Sequence, residues 1–116
     1  MPSREQMNDE IHQGVYEAVR QAAREGRITY HGVIAPVAGL DMGREWNRAE
    51  IGRILGAIST HEREAGRPLL SAIVVHQVDG RPGQGFFALA RQLGLLQPGQ
   101  SEDTFWQGEV RRVHEY

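Results

Sequence analysis

Between an apolar run and an amphipathic segment lies the loop Asp79-Gly80-Arg81-Pro82-Gly83-Gln84-Gly85. A glycine-rich turn from strand to helix is where backbone amides cradle phosphates, which makes Arg81, Gly83 and Gly85 the candidate ligand-binding residues. The loop fits neither G-x-G-x-x-G nor G-x-x-x-x-G-K-[ST], and Pro82 removes one amide. A tight structural turn is therefore the competing reading. His76 stands just before the loop, at the expected end of the apolar run, where sites of α/β proteins gather. It is the candidate catalytic residue, with Gln77 or Arg81 able to complete a polar cluster; a hydrogen-bonded structural histidine is the alternative. Ser71 is the one hydroxyl inside the apolar run, and with no G-x-S-x-G around it a core serine is expected.

A second set of candidates is cationic. Arg44, Arg48, Arg53, Arg63 and Arg67 are interleaved with Glu45, Glu50, Glu62 and Glu64, a mixture that a solvated, ion-paired helix face would show. The functional alternative is phosphate contact by Arg44, Arg48 and Arg53, with Trp46 as a stacking or wedge residue on nucleic acid; a partly buried lid over the core is the other role open to Trp46. His61, Glu62 and Glu64 lack the second histidine of H-E-x-x-H, since position 65 is Ala65, so no metal site is expected.

Composition closes several routes. The 116 residues contain no cysteine, which removes disulfides, thiolate nucleophiles and cysteine-bound zinc. All 13 basic residues are arginine, so Schiff-base lysines and the P-loop lysine are excluded as well, and the bias fits a GC-rich genome. A net charge of −2 and a pI near 6.2 argue against a strongly basic nucleic-acid protein, so any such affinity must come from one face. No apolar run approaches the roughly 20 residues of a membrane helix. The polar start Met1-Pro2-Ser3-Arg4-Glu5-Gln6 lacks the apolar stretch of a secretory signal, which sets the expectation of a cytoplasmic protein with no cofactor and no membrane partner.

The elements that must position these residues follow from periodicity. Ser3-Arg4-Glu5-Gln6 has the form of a capping box, and Met7, Ile11, Val15, Val19 and Ala22 follow at helical spacing up to Gly26. Arg27-Ile28-Thr29-Tyr30 predicts a short extended segment. Asn47-Arg48-Ala49-Glu50 is a second capping box, opening a long helix with the stripe Ile51, Ile54, Leu55 and Ile58, and ended by Gly66 and Pro68. Its outer face is predicted to carry Arg48, Arg53, Glu62 and Arg63, with Gly52 and Gly56 admitting a neighbouring backbone. Residues 69–78 are predicted as a buried strand, because their run is too continuously apolar for an exposed edge. A short helix from Phe86 through Leu93, capped by Gly94, and a last helix capped by Ser101 complete the pattern, the latter presenting Phe105, Trp106, Val110, Val113 and Tyr116.

Two resemblances attach to these segments. Gly26-Arg27-Ile28-Thr29-Tyr30, Ala38-Gly39 and Ile51-Gly52-Arg53-Ile54-Leu55 resemble the winged-helix DNA-binding domain of alkylguanine-DNA alkyltransferases and their alkyltransferase-like relatives, over about thirty residues. The active-site motif of that family should follow the helix, yet Leu70-Ser71-Ala72-Ile73-Val74 contains no Pro, Cys, His or Arg, which excludes alkyl transfer. Separately, Gly66-Arg67-Pro68-Leu69-Leu70-Ser71-Ala72, Arg81-Pro82-Gly83-Gln84-Gly85-Phe86-Phe87 and Phe105-Trp106 resemble a family of short uncharacterised bacterial domains, which implies no function.

The expectation is a single α+β domain over residues 1–116, helical with a small sheet and winged-helix-like if the first resemblance holds. It is read as a binding module with nucleic acid as partner through the Arg-bearing helix. The rival is an enzyme acting on a phosphate- or nucleotide-like ligand at the end of strand 69–78; a protein-interaction module, completing its sheet as a homodimer, is the third reading.

Overall fold

The computed structural model describes residues 11–41 and 43–116. The expected capping box at Ser3 lies outside them. Helix α1 (Gln13–Arg24) starts instead on His12, whose Nδ1 accepts the Val15 amide at 3.1 Å, and buries Val15, Val19 and Ala22 as their spacing requires. Gly26 ends it with φ +67°, a conformation that costs glycine nothing.

Strand β1 (Thr29–Tyr30) leads straight into α2 (His31–Ile34) and a 3-10 turn (Ala35–Ala38) seeded by Pro36. Helix α3 (Glu45–Glu64) starts two residues before Asn47. Asn47 is not its cap: its Nδ2 donates to the Asp41 carbonyl at 3.0 Å, tying the helix to the preceding loop. Trp46 sits on the first turn with 70% of its surface exposed, so it is no lid over the core. Glu62, expected outside, is buried; it stands four residues after Ile58 and continues the apolar stripe.

The predicted strand 69–78 is the principal correction. Leu70–Ile73 forms a 3-10 turn, and only Val74–Val75 is a strand, β2. Its backbone is satisfied by side chains where a sheet would have used a neighbouring strand. Glu109 accepts the Leu69 amide at 2.8 Å, Ser59 Oγ accepts the Ser71 amide at 3.0 Å, and Trp106 Nε1 donates to the Ala72 carbonyl at 2.9 Å. Beyond β2 the chain turns back, with the His76 amide on the Arg81 carbonyl at 2.9 Å and the Gly80 amide on the His76 carbonyl at 2.8 Å. Helix α4 (Gln84–Gln92) and helix α5 (Glu102–Glu115) follow; Ser101 Oγ caps α5 by accepting the Thr104 amide, as its position before Glu102 and Asp103 predicts.

β1 and β2 pair in parallel, Thr29 opposite Val74 and Tyr30 opposite Val75. Helices α1, α3 and α5 all pack on the 3-10 turn before β2, and α4 packs on α3. The fold is α+β, helical with a small sheet, as composition and periodicity imply. Among the described residues there is no antiparallel hairpin, so the wing of a winged helix is not built here; the two strands meet through a crossover that carries α3.

Candidate functional site

The register of the sheet places the site. One residue beyond the Tyr30–Val75 pair, each strand ends on a histidine, and the parallel pairing sets the two side by side. The His31 and His76 rings stack with centroids 4.1 Å apart and planes 12° from parallel. They form part of the wall of a cavity of about 180 Å³ at the C-terminal ends of the strands, where open α/β folds place ligands. Arg48, Gly52, Leu55 and Gly56 of α3 face it from one side, Ser71 and Val74 from the base, and Gly83, Gly85, Phe86 and Leu89 from the loop and first turns of α4.

Each wall has a local cause. Gly52 and Gly56 recur one helical turn apart, and a Cβ built on either would meet no atom within 4 Å. They admit no neighbouring backbone; they open space. Gly83 is tight, since a Cβ there would come within 3.1 Å of His76 Nε2, so this glycine lets the loop lie against the histidine. It is also the N-cap of α4, which has no side-chain cap and no acidic residue in its first turn, so the helix presents amide donors and the positive end of its dipole. Ser71 Oγ is 2.6 Å from Ser59 Oγ in a buried pair that anchors the base.

His31 is 8% exposed, and its Nδ1 is sealed from solvent with no hydrogen-bond partner. Burial, and then the neighbouring His76, hold its pKa below the ordinary value against a hydrogen bond to the Val75 backbone, so the ring is neutral at pH 7. Among the described residues no carboxylate lines the cavity, whose polar wall is made by Arg48, Ser71 and the two histidines.

The sequence candidates divide here. His76, Gly83, Gly85 and Arg48 come together in the wall. Arg81 is not among them: its guanidinium binds the Asp103 carboxylate and lies 5.8 Å from the ring centroids of both Phe87 and Trp106. Arg44 and Trp46 stand at the exposed start of α3, while Arg53 is engaged by Glu50 through two hydrogen bonds of 2.8 and 2.6 Å. Sequence reasoning missed His31, and also Gly52 and Gly56 as cavity formers. The signal for His31 was present in the recurrence of two β-formers followed by histidine, Thr29-Tyr30-His31 and Val74-Val75-His76.

A larger cleft of about 600 Å³ lies between α1 and α5. Its buried carboxylate, Glu62, already accepts hydrogen bonds from the Tyr16 hydroxyl and from Arg67, and burial together with that carboxylate raises the Tyr16 pKa, keeping the phenol protonated. That cluster completes itself and leaves no buried polar atom seeking a ligand.

Among the described residues no three His, Cys, Asp or Glu side chains gather to hold a metal ion, and no helix is long and apolar enough to cross a membrane. Comparison of the chain with protein-family models, with curated proteins and with solved structures found no match.

Proposed function

We propose that the chain is a binding module whose cavity at the ends of β1 and β2 takes a small anionic ligand, a phosphate-like group. One observation carries this reading: among the described residues the wall combines Arg48, two histidines and the start of α4, which has no side-chain cap, with no acidic side chain. At about 180 Å³ the cavity is smaller than the roughly 300–1,000 Å³ of pockets that enclose a drug-sized molecule, so it suits a phosphate group better than a whole nucleotide. Titration calorimetry with inorganic phosphate tests it. Saturable binding is expected, weakened about tenfold or more by Arg48→Gln, the loss of a charge-assisted contact worth some 1.5–3 kcal/mol. Gly56→Leu, which fills the open space from a helix position, is expected to hold or raise the melting temperature while abolishing binding. Undiminished binding in Gly56→Leu would place the anion elsewhere.

A second reading has its own observation, the 70% exposed Trp46 between Arg44 and Arg48 on the amino end of α3. We propose single-stranded nucleic acid as the partner for that surface, a base stacking on Trp46 while the arginines meet phosphates. A gel-shift titration should show affinity falling steeply with salt and a further loss in Trp46→Ala. No shift at low salt rejects the reading.

A further inference from the structure

The residues around the cavity at the ends of β1 and β2 grade in burial from its mouth to its floor. Arg48 and Gly85 are exposed and His76 is half-buried, whereas Leu55, Val74 and Phe86 are 5%, 1% and 8% exposed. The charge stands at the mouth, and the floor is largely hydrocarbon. Ser71 brings a hydroxyl to the floor, but that oxygen is already paired with Ser59 Oγ at 2.6 Å, and Nδ1 of the buried His31 is closed to solvent. An anionic oxygen pushed down to this level would exchange water for an apolar wall, at a cost that the charge at the mouth does not impose.

Volume points the same way. A cavity of roughly 150 Å³ lined by aliphatic and aromatic side chains takes up a whole benzene ring, so about 180 Å³ is room for roughly seven non-hydrogen atoms. A phosphate group has five, and held at the mouth beside Arg48 and His76 it leaves the floor unfilled. Gly52 and Gly56 of α3 keep that space open, since a Cβ on either would meet no atom within 4 Å, and the half-buried Leu89 of α4 adds to the apolar wall. We propose that the ligand is a phosphate monoester with a short apolar arm of about two to four carbons, its phosphate at the mouth and its arm on Leu55, Val74, Phe86 and Leu89. The proposal rests on the anion-binding reading above and names the ligand class of that site.

Inorganic phosphate and its methyl, ethyl, propyl, butyl and hexyl monoesters are the probes, titrated into the full chain at pH 7.5 by calorimetry. Each carbon added as far as propyl should tighten binding about threefold to fourfold, the worth of one buried methylene, and the gain should end between butyl and hexyl, where the floor is full. Leu89→Gln keeps the bulk of the side chain and suits the helix but makes the wall polar. It should flatten the series while leaving inorganic phosphate within about twofold of its wild-type affinity. NMR of the wild type gives a second measurement that needs no variant: the terminal methyl of bound propyl phosphate should show nuclear Overhauser contacts to the Leu55 methyls and the Phe86 ring. Esters no tighter than inorganic phosphate, a gain that continues undiminished to hexyl, a full gain kept by folded Leu89→Gln, or a bound methyl without those contacts would each overturn the apolar arm while leaving anion binding intact. Propanol binding as tightly as propyl phosphate would overturn the anion reading, and the monoester with it. Binding of neither phosphate nor any ester would likewise overturn both.

Discussion

His31 couples the site to the stability of the protein. Burial and His76 place its pKa below the ordinary value of 6.5, so in the folded chain it stays neutral at a pH where the unfolded chain takes up a proton. The unfolded state then binds more protons, and folding stability falls as pH drops below about 6.5, levelling off once the folded-state pKa is passed. Above the unfolded pKa both states are neutral and the contribution is flat. His76, stacked on His31, and Arg48 face the same cavity. The slope from this one residue is at most about 1.4 kcal/mol per pH unit. Urea midpoints between pH 7.5 and 5.5 should fall more steeply for the wild type than for His31→Phe; parallel curves would show that His31 titrates as it does in the unfolded chain. Glu62 carries the complementary lesson about legibility. Its charge points to solvent, but its spacing from Ile51, Leu55 and Ile58 lies on the buried stripe, and the structure follows the spacing, because Tyr16 and Arg67 satisfy the carboxylate. Periodicity holds the position, and a partner brought from distant sequence decides whether a charge can occupy it.

At the scale of elements, the segment before β2 shows why an apolar run is ambiguous. Buried on all sides, residues 69–75 alternate no more than a central strand would, and sequence periodicity cannot separate the two. What separates them is the origin of the hydrogen bonds, and here Glu109, Ser59 and Trp106 supply them from elements 12 to 40 residues away. The two serines make this testable. Ser59 Oγ accepts the Ser71 amide and pairs with the Ser71 hydroxyl, whereas Ser71 Oγ serves only that hydroxyl pair among the bonds described. Ser59→Ala strands a buried N–H and is expected to cost about 1–3 kcal/mol, while Ser71→Ala removes one bond and leaves the amide satisfied, costing about 1 kcal/mol. Urea denaturation of both variants should rank them in that order; the reverse order would mean that the backbone of the turn does not depend on Ser59. The helices were legible because amphipathic spacing and glycine stops act locally: α1 ends at Gly26, α3 before Gly66 and α4 before Gly94, all with positive φ. The start of α3 was misplaced because Asn47 bonds the Asp41 carbonyl, a contact the capping-box pattern does not encode.

For the whole molecule, a sheet of two residues in each of two strands asks whether one chain suffices. An isolated pair of strands is marginal in water, and pairing across two chains is one solution. Here the helices provide another: α1, α3 and α5 pack on the turn that feeds β2, both residues of β2 are buried, and the apolar side chains of the three helices join one continuous cluster with it. A strand of two residues also presents too few free backbone groups to template a partner's strand, and β1 runs directly into α2, which stops the edge from lengthening. Of the large apolar side chains left exposed, Tyr30, Val33 and Val37 lie close together in sequence, along the end of β1, α2 and the 3-10 turn, while Trp46 on the first turn of α3 and Val78, 98% exposed, on the turn after β2 stand apart from them in sequence. The expected outcome is a monomer: light scattering should return a mass near 13.0 kDa, and the melting temperature should not move over a hundredfold range of protein concentration, because no partner subunit is linked to folding. A melting temperature that climbs with concentration, accompanied by a doubled mass, would show that the sheet or the cluster is completed by a second copy, and that contacts between two chains help to hold β1 and β2, and with them the histidine pair, in register.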